Sequence, residues 1–175
     1  MPQRLVLVAL CALPLVAIAC GGPSGLTALG SLAVHGTAAS GPWDATFDFP
    51  TETRIDGGAG LTAMCTVTQT RDAAGAPIYG AVVDFIVPAS AGSPLDSVTL
   101  MATSDATTGT IEADVGGEHF SNAACSYTML YVGGDGGTGG SLNLETASDC
   151  TLTGSAGGTL TLSSDLVLRG CTLLD

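Results

Sequence analysis

Residues 43–49 read WDATFDF and alternate without a break. Trp43, Ala45, Phe47 and Phe49 fall on one side, and Asp44, Thr46 and Asp48 on the other. A period of two is that of a β-strand with one face on a core and one in water. The rule carries outward along the chain. LTAMCTVTQT (61–70) puts Leu61, Ala63, Cys65 and Val67 together, and AVVDFIV (81–87) groups Val83, Phe85 and Val87 with Asp84 outward. GTIEADV (109–115) sends Ile111, Ala113 and Val115 inward and Glu112 and Asp114 outward. CSYTMLYV, SLNLETA, CTLTG, TLTLSS and LVLRGC continue the pattern to residue 171. Gly, Pro, Asp and Ser punctuate these segments, and no ten-residue stretch carries a helical stripe. The expected fold is all-β, a single antiparallel β-sandwich, with a closed β-barrel as the alternative.

The first nineteen residues obey a different rule. Arg4 precedes an apolar run from Leu5 to Ile18, which ends at the small residues Ala17 and Ala19. A charged start, a short apolar stretch and a small-residue cleavage site make a secretory signal. The run is too short to span a bilayer, which takes about 20 apolar residues. Ala17-Ile18-Ala19-Cys20 resembles the lipobox of bacterial lipoproteins, with Ala17 standing where leucine is usual. That resemblance implies that Cys20 is acylated and becomes the new N-terminus. Gly21, in place of an aspartate, then points to the outer membrane. The expected organisation is a signal peptide at 1–19, a lipid-anchored tether at 20–27 and a β-domain at 28–175.

Cysteine parity favours the same reading. Of six cysteines, Cys11 leaves with the signal; if Cys20 carries lipid, Cys65, Cys125, Cys150 and Cys171 remain, an even set for an oxidising compartment. Three connectivities are open to four cysteines. The expected one joins Cys150 to Cys171, on neighbouring C-terminal segments, and Cys65 to Cys125.

From Cys20 onward the chain has three arginines, no lysine and sixteen acids, a formal charge of −13. Nucleic acid is excluded as a partner, because phosphate binding needs clustered Lys or Arg. Anionic headgroups repel such a chain, so the lipid has to do the anchoring. DAAGAPIYGAVVDF (72–85) resembles an element of bacterial immunoglobulin-like domains of surface proteins, which implies a strand hairpin. Asp72 and Gly75 suit its turn, Pro77 a strand start and Gly80 a bend.

The chemical motifs are weak. GDGGTG (134–139) has dinucleotide-fingerprint spacing, but the strand-like SLNLET follows where a helix must open, so it reads as a hairpin loop. His35 and His119 are the only histidines and lack zinc-site spacing, as do the cysteines. Asp56 and Asp135, beside glycines, could offer oxygens to calcium without a complete motif. Asp44 with Asp48, and Glu112 with Asp114, share strand faces as glycosidase carboxylates would, yet outward acids also keep a sheet from edge pairing. Glu118-His119-Phe120 holds a possible acid–base histidine without a nucleophile motif. Trp43, Phe47 and Phe49 could form a carbohydrate platform, but their shared face favours core packing. The expectation is a lipid-anchored, non-enzymatic envelope protein of structural or binding role. No catalytic residue, cofactor or metal is implied, and an envelope protein or glycan is the possible partner. A calcium-dependent adhesion or carbohydrate-binding module is the alternative, and a secreted hydrolase comes third.

Overall fold

In the computed structural model, the described residues are 25–39, 41–55, 61–88, 93–134, 139–146 and 150–174. The signal segment, Cys20 and most of the tether lie outside them, as do Asp56 and Asp135.

The chain is all-β, as the alternation predicts. Among the described residues eleven strands form: β1 (Thr27–Ala38), β2 (Gly41–Arg54), β3 (Thr62–Arg71), β4 (Pro77–Ile86), β5 (Leu95–Thr103), β6 (Thr108–Val115), β7 (Glu118–Ser126), β8 (Thr128–Val132), β9 (Gly140–Glu145), β10 (Cys150–Gly154) and β11 (Thr159–Leu174). All belong to one sheet, and every ladder is antiparallel except β3–β11, which is parallel over three positions. β3 through β7 pair in chain order, β7 pairs β10, and β10 and β3 both pair β11, so seven strands close a ring. β1 and β2 extend the sheet from β11 on one side, and β9 and β8 also join it through β11.

The long β11 organises this arrangement. Two segments that read as separate strands, TLTLSS and LVLRGC, run on as one 16-residue strand. Its first part pairs β10, its middle pairs β9, and its last three residues pair β3. Leu160, Leu162, Leu166 and Leu168 point into the core, with the buried Ser164 taking the middle position. There β11 changes partner from β10 to β9, and the Ser164 amide donates to Thr146 Oγ1 at 2.7 Å while the Thr146 amide donates to Ser164 O at 2.9 Å. A second break, a bulge between Arg169 and Cys171, uses Gly170 at φ 85°. Glycine adopts that left-handed conformation without a Cβ penalty.

The inward residues of all these strands make one core. Phe85, Phe120, Leu32, Leu100, Leu142 and Leu152 are among its largest fully buried members. WDATFDF becomes the middle of β2: Phe49 is buried, while Trp43, Ala45 and Phe47 pack on the core edge beside Gly36, Val34 and Leu32 of β1. The three aromatics therefore serve packing.

The turn chemistry is local. Asp72 Oδ1 accepts from the amides of Ala74 and Ala76, and Gly75 sits at φ 85°, which folds β3 back on β4 at Pro77. Gly80 makes no bend; the ladder runs through it in register with Thr68 and Thr103. Gly116 and Gly117, both at positive φ, form the two-residue turn between β6 and β7.

Two disulfides form, with a connectivity other than the expected one. Cys65 of β3 bonds Cys171 of β11, with Cα atoms 4.7 Å apart, and Cys125 of β7 bonds Cys150 of β10, with Cα atoms 5.4 Å apart. The ladders explain the correction. Cys150 lies opposite Leu162, nine residues before Cys171 along the same strand. At about 3.3 Å per residue that is roughly 30 Å, far beyond disulfide reach. Cys65 and Cys125 are separated in the sheet by β4, β5 and β6.

Candidate functional site

Three features carry polar chemistry. The first lies on the outer face of β5, β6 and β7. Strand register places Ser97, Asp114 and His119 side by side. Ser97 Oγ donates to Asp114 Oδ2 at 2.9 Å, and His119 Nδ1 lies 2.9 Å from Asp114 Oδ1. A serine, a histidine and an aspartate thus meet, but in the wrong order for nucleophilic catalysis. Activation of a serine needs the imidazole between hydroxyl and carboxylate. Here the carboxylate stands in the middle and holds both neighbours. His119 and Asp114 side chains are each 51 % exposed, so solvent is not excluded. In the adjacent row Thr99 Oγ1 donates to Asp84 Oδ1 at 2.8 Å. These pairs knit the sheet surface.

The second feature is Glu118. Its side chain is buried, at 6 % exposure for the residue, although its neighbour His119 is out in solvent. Oε2 accepts the Ala39 amide at 2.9 Å; Oε1 accepts those of Ala156 and Gly158 at 3.1 and 3.2 Å. The carboxylate therefore ties the β1–β2 turn and the β10–β11 turn to the start of β7. The Ala39 hydrogen bond, against the opposing effect of burial and with help from Gly158 and Ala156, holds its pKa below the ordinary carboxylate value. Two glycines make the room. A Cβ at Gly154 would run into Glu118 Oε1 and the Phe120 ring, and one at Gly158 would lie 2.6 Å from Thr37 O.

The third feature is an open trough of about 340 Å³ on the outer face of β3 to β6. Val82 and Met101 line it, with Thr68, Thr103 and Thr110 around them, and Gly80 and Gly109 leave it uncluttered. Behind it the Tyr127 hydroxyl donates to Thr103 O and accepts from Thr103 N, each at 2.7 Å. No charged side chain lines the trough.

Of the acids and histidines singled out in the sequence, Asp114 and His119 are paired, and the others form no shared cluster among the described residues. Asp44 and Asp48 are exposed on β2, at register positions opposite His35 and Ser31 of β1. Glu112 lies opposite Thr99 and Ser121, one row away from Asp114. Among the described residues, no three His, Cys, Asp or Glu side chains are placed to share a metal ion. GDGGTG runs into β9, a strand, which is incompatible with a dinucleotide fingerprint. Glu118 was legible only as a neighbour of His119. Its parity with the core residue Phe120 was the available signal, because residues two apart on a strand share a face. Comparison with family models, with curated proteins and with solved structures gave no match.

Proposed function

We propose that this chain is an exported, lipid-anchored protein of the bacterial envelope with a non-enzymatic, structural or binding role. One observation carries the reading. The four cysteines of the β-domain are all spent on each other, so the remaining cysteine after the signal, Cys20, has no partner within the domain. A free thiol at the start of an exported chain is a liability, whereas an acylated cysteine is an anchor. The bridges themselves suit an oxidising compartment. β1 begins seven residues after Cys20, a reach of at most about 25 Å at 3.6 Å per residue. The domain would therefore work close to the lipid surface. The polar clusters support a non-catalytic role: Asp114 is engaged by both of its neighbours and Glu118 by three amides.

Replacing the anchor residue tests this. Cys20→Ser should move the protein from the membrane pellet to the soluble fraction while leaving both disulfides intact. Retention of Cys20→Ser in the membrane, equal to wild type, would overturn the proposal.

A further inference from the structure

Two junctions of the seven-strand ring are short, β3–β11 with three paired positions and β7–β10 with two, and the second closes with a chemistry of its own. β7 and β10 pair at two positions only, Ser121 with Thr153 and Phe120 with Gly154, whereas β3 and β4 pair at ten. Other groups hold the gap shut. The Ser155 amide donates to His119 O at 2.9 Å, and Asn122 Nδ2 donates to Thr151 O at 2.9 Å. Cys125–Cys150 crosses at the opposite end of β10. At the turn end the closure is Glu118, which reaches from β7 to Ala156 and Gly158 just past β10, and to Ala39 across the β1–β2 turn.

We propose that Glu118 is an acid-released latch: its ionised carboxylate keeps the β7–β10 seam closed, and protonation opens the turn end of that seam before the rest of the sheet unfolds.

Three donors aimed at two oxygens require an acceptor-only group, and a carboxylate is acceptor-only only when ionised. Adding a proton turns one oxygen into a donor facing an amide N–H, in a pocket where Gly154 and Gly158 leave no side chain to adjust. Among the described residues, no charged side chain hydrogen-bonds to Glu118 from the elements packed around it. The β1–β2 turn and the β10–β11 turn present backbone amides, β6 presents Val115 at the paired position, and on β7 the adjacent His119 pairs with Asp114 on the solvent face. The Cys125–Cys150 bridge limits the movement to the turn end. Opening leaves the edges of β7 and β10 unpaired there, and unpaired edges accept an extended chain.

Amide hydrogen exchange on the full mature chain in detergent micelles, read by peptide mass, tests the latch. Wild type is measured in steps from pH 7 down to the onset of global unfolding, with intrinsic rates corrected for pH, and Glu118→Gln at pH 7. Gln keeps the shape but sets an NH₂ against one of the donors, as protonation does. The expected result is at least tenfold faster exchange at 37–39, 119–122 and 152–158 at the acid end of the wild-type series, before β4 and β5 lose protection, and in Glu118→Gln at pH 7 with β4 and β5 still protected. Loss of protection in the seam and in β4–β5 at the same pH, or equal protection of both in Glu118→Gln, would overturn the proposal. Should Glu118→Gln fail to fold, the wild-type series decides alone.

Discussion

At the scale of single residues, the most consequential position is one that the sequence shows only as a neighbour of His119. Glu118 sits between a two-glycine turn and Phe120, and its parity puts it inside. Its burial is tolerable because three backbone amides replace water. The sign of its pH effect follows. A carboxyl whose pKa is lower in the folded state stabilises the fold above its unfolded value, and that contribution is lost as pH falls through the folded one. Stability should therefore decline below about pH 4.5. The glycines that house it give a cleaner prediction. Gly154→Ala would push a methyl into Glu118 Oε1 and the Phe120 ring, and such overpacking costs about 1–3 kcal/mol. Gly133→Ala, where a Cβ meets nothing within 4 Å, should fall within about 0.5 kcal/mol of wild type. Urea unfolding of both variants checks the pair, and equal stabilities would contradict the described packing at Glu118.

At the scale of elements, strand identity was legible and strand pairing was not. Alternation is a property of neighbours in sequence, so WDATFDF, AVVDFIV and GTIEADV declare their buried faces directly. Their partners depend on contacts far apart in the chain. That is why TLTLSS and LVLRGC read as two strands: Ser163 and Ser164 look like punctuation, but they mark a change of partner along one strand. CSYTMLYV reads as one strand and is two, because Tyr127 turns inward to hold Thr103 and breaks the run between β7 and β8. The disulfide pairing is illegible in the sequence for the same reason, since it depends on strand order and not on closeness along the chain. The true connectivity makes an ordering prediction. Cys65–Cys171 links residues 106 apart and Cys125–Cys150 residues 25 apart. In the chain-entropy model these closures are worth about 4.7 and about 3.5 kcal/mol. Cys65→Ala/Cys171→Ala should therefore lower Tm more than Cys125→Ala/Cys150→Ala. The reverse order would show that the seam, rather than loop closure, dominates.

At the scale of the whole molecule, charge and architecture bear on each other. The two strands that end the sheet differ. β2 carries Pro42 and Pro50 with Asp44, Asp48 and Glu52 exposed, the usual protection of a sheet edge, whereas β8 reads TMLYV without a charge or proline and leaves Leu130 and Val132 each 56 % exposed. A chain with a net charge of −12 has little to hold it at an anionic surface, and Cys20 is the group proposed to do so. That proposal rests on cysteine arithmetic, and one measurement addresses it directly: the intact mass of the protein extracted from host membranes, before and after reduction. The account predicts a chain that starts at Cys20, carries the added mass of acyl chains, and gains four hydrogens on reduction of its two bridges. An unacylated chain, or one whose mass does not change with reductant, would contradict it.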